Sequence, residues 1–197
     1  MVNPIRNKNF KKIGSIKKRI LKERQVSKGV KYFELLTTSA TETKRLGKIL
    51  AKKITEGKRK RALVLGLKGD LGGGKTTFLQ GFAKGLDIKQ KVLSPTFLIM
   101  KKCKLENRKW KVENRIKPNR HSSSVFYHFD CYRVQKPKEI LSLGFKEIIS
   151  NPKNIVCIEW AERIKKIIPK NTIWIKFEFI DKNKRKIRIS KFLKASF

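Results

Sequence analysis

The residues Gly69-Asp70-Leu71-Gly72-Gly73-Gly74-Lys75-Thr76 have the types and spacing of a phosphate-cradling loop. Such a loop must aim several backbone amides at one oxyanion, and the dihedrals of that nest exclude most side chains. Gly69, Gly72, Gly73 and Gly74 supply the freedom. Lys75 is then placed to reach the β- and γ-phosphates, the Thr76 hydroxyl to meet Mg2+, and Thr77 to touch the α-phosphate, with the dipole of a helix starting there adding to the attraction. The chemistry implied is binding and hydrolysis of ATP with Mg2+.

A loop of this kind also needs a carboxylate for the metal and a group that orients the attacking water. Two acids close apolar runs of strand length: Glu159 after Ile155-Val156-Cys157-Ile158, and Asp130 after Phe126-Tyr127-His128-Phe129. Spacing does not divide the two roles between them, and one of the two, Asp130 in particular, could instead simply cap a turn or pair with a lysine. Ser94-Pro95-Thr96 follows at a place where a switch segment could bring a hydroxyl toward the γ-phosphate, or where an ordinary loop precedes a strand. His128 alternates with Asp130 and fits core or site. Tyr132-Arg133 could supply a cation.

These groups need a scaffold. Ala62–Leu67 reads as a strand entering the loop, and Phe78, Leu79, Phe82, Ala83 and Leu86 recur at helical spacing after it. Upstream, Lys31–Leu36 reads as a strand, and Ser39-Ala40-Thr41-Glu42 has the spacing of a capping box opening a helix with Leu46, Ile49, Leu50 and Ile54 on its apolar face, closed near Gly57. Thr96–Met100 and Val125–Asp130 look extended. Between them, residues from about 101 to 124 are rich in Lys, Arg, Asn and Ser and read as an enlarged surface hairpin or loop outside the core. Pro137–Leu143 and Phe145–Ile149 read as short helices split by Gly144, and Ile155–Ile158 as a buried strand. Thr172–Ile180 and Lys186–Ile189, separated by Asp181-Lys182-Asn183-Lys184, read as an antiparallel hairpin. The pattern predicts an α/β fold: a P-loop three-layer α/β/α sandwich with a mixed, largely parallel sheet and a C-terminal antiparallel hairpin.

Composition sets the limits. The 197 residues fit one domain, residues 30–197, behind a basic extension of residues 1–29 that reads as flexible or weakly helical. Lys and Arg number 51 against 15 Asp and Glu, a formal charge of +36. That charge would attract any polyanion at low salt, although lysine is abundant throughout and compositional drift would produce the same excess. Three scattered cysteines, with no CxxC pair, and two histidines suggest neither a disulfide framework nor a zinc site, which fits a reducing cytoplasm. No apolar run has the length of a membrane span.

Five blocks then stand in fixed order: GDLGGGKTTFLQGFAKGL (69–86), SPTF (94–97), YHFDCYR (127–133), LGFKEII (143–149) and CIEWAERI (157–164). Together they resemble the TsaE family, formerly YjeE, over about residues 32–190. The resemblance implies an ATPase that acts with TsaD and TsaB when a threonylcarbamoyl group is moved onto adenosine 37 of tRNAs reading ANN codons, without transferring the group itself. It implies ATP in the glycine loop, Mg2+ held by Thr76 and Glu159, Asp130 as a second functional acid, Thr96 as a switch threonine, Trp160 as the tryptophan beside the acid, and nucleotide contacts near Thr38–Thr41. It further implies low turnover without partners, and tRNA met through the complex or through the basic surface. The basic leader and the basic segment after Lys101 depart from the family pattern. A small kinase passing the γ-phosphate to an acceptor, and a nucleotide-gated RNA-binding protein, are the competing readings of the same loop.

Overall fold

The computed structural model describes residues 22–25, 31–55, 59–90, 98–105, 110–112, 115–117 and 124–190. Strand β1 (Lys22–Gln25) pairs antiparallel with β2 (Lys31–Thr37), which leads into helix α1 (Ala40–Ile54). Ser39, in extended conformation, caps α1 by accepting the Glu42 amide at 3.1 Å. The Glu42 carboxylate closes the box one residue early, accepting the amide and hydroxyl of Thr38 at 2.7 and 3.0 Å. Strand β3 (Leu63–Lys68) enters the glycine loop and helix α2 (Lys75–Gly85) leaves it. Next come β4 (Met100–Lys104), β5 (Trp110–Val112), β6 (Arg115–Lys117) and β7 (Val125–Asp130), then α3 (Pro137–Leu141) and α4 (Phe145–Ser150). Strand β8 (Ile155–Glu159), a 3₁₀ segment (Ala161–Ile167), β9 (Ile173–Phe179) and β10 (Arg185–Ser190) are the last of the described elements.

Among the described residues the main sheet has eight strands in the order β1-β2-β10-β9-β3-β8-β7-β4, and β5 with β6 forms a separate pair. The sheet is mixed in an ordered way. Its centre, β9-β3-β8-β7, is parallel, and both flanks are antiparallel. The expectation of a largely parallel sheet therefore holds for the centre, because hairpins rather than helical crossovers connect the outer strands. One face packs on α1 and α2 through Leu46, Leu50, Phe78, Phe82 and Leu65, and the other on α3, α4 and the 3₁₀ segment through Phe129, Ile140, Phe145 and Ile158. Helices α1 and α2 touch closely: a Cβ added to Gly81 would stand 1.9 Å from the Lys44 carbonyl oxygen, so only glycine fits.

Two boundaries move. Residues 101–104 belong to β4, an edge strand registered against β7 with Cys103 buried, so the inserted segment begins after the sheet and not at Lys101. Residues 22–25 extend the opposite edge, although basic composition placed them in a loose leader; backbone pairing with β2 is indifferent to side-chain charge. The rest of the leader, Gly57 and Ser94-Pro95-Thr96 lie outside the described residues. Among the described residues no helix is long and apolar enough to cross a membrane.

Candidate active site

Strands β3, β7 and β8 run parallel and end side by side, so the loop after β3, Asp130 and Glu159 meet at one edge of the sheet, where open α/β sheets bind ligands. Asp130 stands in register with Glu159. The glycine loop folds over them. Gly69 has φ +128°, and a Cβ there would strike the Phe177 carbonyl oxygen at 2.1 Å, so the first loop glycine is demanded both by its backbone angle and by β9 beside it. Gly73 donates its amide to the Asp70 carbonyl at 3.1 Å, and Gly74, also at positive φ, opens α2.

Lys75 is buried against the loop. Its ammonium donates to the carbonyls of Gly69 at 2.6 Å and Asp70 at 2.8 Å and lies 3.7 Å from the centre of the Trp160 ring. Burial pulls its pKa below the ordinary lysine value, and the charges of Glu159, Glu162, Asp130 and Asp70 oppose that shift. Trp160 reaches this place from a left-handed backbone (φ +56°, ψ 38°) that a non-glycine residue adopts at a cost of about 1–2 kcal/mol. Tyr132 packs on the same indole, ring centres 5.0 Å apart.

Beyond the lysine, the Thr76 hydroxyl donates to Glu159 Oε2 at 2.7 Å, and His128 Nε2 lies 3.0 Å from Glu159 Oε1. Asp130 is half-buried, and its Oδ1 accepts the Tyr132 amide at 3.0 Å. A cleft of about 370 Å3 opens over these groups, lined by the loop from Leu71 to Thr77, by Asp130 and Glu159, and by Ala40 and Thr43 at the head of α1. Its third wall is the β9–β10 turn with Lys182, Asn183 and Arg185, which no motif in the sequence marks as part of a site. Arg185 Nε donates to the Gly72 carbonyl at 3.1 Å and its Nη1 to the Asp181 carbonyl at 2.6 Å, pinning the turn to the loop. The hairpin itself was legible, but its place beside β3 depends on strand order, which local pattern does not carry. The cleft lining includes Tyr132 and not the exposed Arg133; the arginine brought to the loop is Arg185.

The model of the family described as "Threonylcarbamoyl adenosine biosynthesis protein TsaE" matches residues 37–187. The chain belongs to the TsaE family. Relatives named tRNA threonylcarbamoyladenosine biosynthesis protein TsaE include one from Rickettsia felis, 34% identical over 77% of this chain and 75% of the relative. Another, from Nostoc sp., is 35% identical over 76% and 80%, respectively. The crystal structure of Bacillus subtilis YdiB superposes with a TM-score of 0.60 at 29% identity, covering 85% of this chain and 90% of that one. The matched span runs from the end of β2 to the middle of β10, so in this TsaE-family chain it holds every wall of the cleft.

The donors fit Mg-ATP. A hydroxyl and a carboxylate stand together at the head of a glycine nest, both hard oxygen ligands, as Mg2+ prefers when phosphate oxygens and waters complete its shell. Among the described residues no group of three or more His, Cys, Asp or Glu could hold a metal unaided.

Proposed function

We propose that this chain is a Mg2+-dependent ATPase serving threonylcarbamoyladenosine formation in tRNA, acting with TsaD and TsaB in the cytoplasm. The observation that carries the reading is the 2.7 Å bond between Thr76 and Glu159 at the mouth of the glycine loop. In this reading the loop amides bind the phosphates, Lys75 holds the β- and γ-phosphate oxygens, and Thr76 with Glu159 holds the metal. Bound Mg2+ supplies charge neutralisation on the phosphate oxygens. Asp130, in register beside Glu159 but more exposed, orients the attacking water. Thr96 as a switch threonine remains part of the proposal on the resemblance alone.

Slow turnover by the isolated chain has a physical basis. Arg185 is the arginine in the cleft lining, and its Nε and Nη1 already donate to main-chain carbonyls. Charge developing on the transferred phosphoryl group would then be met fully only when partners complete the site. The test is ATP hydrolysis by wild type, Lys75→Ala and Glu159→Ala, alone and with TsaD, TsaB and tRNA. Weak activity that rises with the partners and drops roughly a hundred-fold or more in both variants is the expected result. Activity indifferent to the partners, or ADP release that requires a phosphoryl acceptor, would overturn it.

A further inference from the structure

We infer that His128 is a positioning residue that holds the carboxylate of Glu159 in the orientation needed to meet Mg2+; the inference rests on the proposed metal-nucleotide reading of the cleft. The parallel register sets His128 opposite Cys157, one pleat repeat below Asp130 and Glu159 and on the same face of the sheet. His128 and Glu159 are 1% and 2% exposed. A carboxylate so far from water needs hydrogen-bond partners on its oxygens. Glu159 has one on each oxygen: His128 Nε2 at 3.0 Å from Oε1, and the Thr76 hydroxyl at 2.7 Å from Oε2. Two donors on opposite oxygens fix the plane of the group.

The grip runs through one ring nitrogen. His128 Nδ1 is buried without a hydrogen-bond partner among the described residues. Here one nitrogen is left unmet while the other grips the acid at the cleft. The neighbouring Asp130 offers a contrast, because its Oδ1 accepts a main-chain amide two residues on. Partners that orient metal-binding carboxylates typically change metal affinity by roughly 10–100-fold when removed.

The experiment measures equilibrium binding of the fluorescent N-methylanthraniloyl derivative of ADP to the full chain, in EDTA and across a Mg2+ titration. Wild type is compared with His128→Leu, His128→Asn and His128→Gln, whose longer amide can place a donor near the position of Nε2. The expected result is a Mg2+ midpoint raised roughly ten-fold or more in the Leu and Asn variants. The Gln variant should restore it, and EDTA binding should stay within about two-fold throughout, because the nest and Lys75 are untouched. Should the Leu variant fail to fold, the Asn and Gln pair decides alone. An unchanged midpoint in Asn and Leu, or an equal loss in EDTA, overturns the role of His128. A wild type whose binding ignores Mg2+ overturns the metal reading itself and this inference with it.

Discussion

The parallel centre of the sheet and its antiparallel wing, β2 and β10 with β9 as the strand the two share, are built by opposite rules. All five residues of β8 are buried, because helices cover both faces, whereas along β10 the buried Ile187 and Ile189 alternate with half-buried Lys186, Arg188 and Ser190. The centre delivers the glycine loop, Asp130 and Glu159 from strand ends. The wing contributes one turn, and its outer face carries an ionic network: Arg188 bonds Glu34 at 2.8 Å and Glu178 at 2.5 Å, with Lys176 2.8 Å from Glu178. Chemistry is therefore mounted where burial is two-sided and the backbone most constrained, while the wing closes the cleft and meets water.

The largest stability effect should come from the centre. Phe126 on β7 is fully buried, its ring 6.5 Å from that of Phe82 on α2. Phe126→Ala is expected to lower the unfolding free energy by about 3–5 kcal/mol, read from denaturant midpoints at unchanged slope. A loss under about 1 kcal/mol would mean that the centre repacks freely and that the contrast with the wing is not one of rigidity.

How much of this contrast could be read from the sequence follows the same division. The centre was legible because a two-sided strand is a short apolar run, and the runs before Gly69 and Glu159 each end in a residue with chemistry to do. The wing hairpin was legible from alternation and its polar turn. Three features were not. Pairing of 22–25 with β2 and of 100–104 with β7 uses main-chain groups that leave no mark on composition. Arg185 sits in the cleft only because β9 neighbours β3, a fact of strand order. By its alternation with Asp130, His128 fits core or site, and it is buried while bonded to the acid of the cleft, a combination that spacing alone does not express.

An intermediate effect is expected where the helical layer meets the centre. At Gly81 the added Cβ of alanine would overlap the Lys44 carbonyl, which is main chain and gives way only if α1 moves as a unit. Gly81→Ala is thus expected to destabilise by about 1–3 kcal/mol despite the better helix propensity of alanine. A stabilised variant in thermal unfolding would show that α1 slides easily over α2, and that the rigid unit ends at the sheet.

The smallest effect belongs to the wing's outer face. Arg188→Ala removes two charged hydrogen bonds at a half-exposed site, and exposed pairs contribute about 1 kcal/mol or less, so the expected loss is of that size and shrinks further in high salt. Its signature is in the pH dependence. The hydrogen bond from Lys176, joined by the charges of Arg188, Lys176 and Lys186, holds the Glu178 carboxyl below its ordinary value of 4.5. A depressed acid contributes stability that is present in full above 4.5 and is lost as the pH falls through the folded value. Removing Arg188 takes away one of the charges that depress it, so the variant and wild type should differ most above pH 4.5 and converge in acid. Denaturant midpoints taken across that range decide the matter: a gap that persists undiminished at low pH would assign the arginine's contribution to its guanidinium over the Tyr32 ring, 5.6 Å from the ring centre, and would make the wing's outer face less dependent on its ion pairs than its charges suggest.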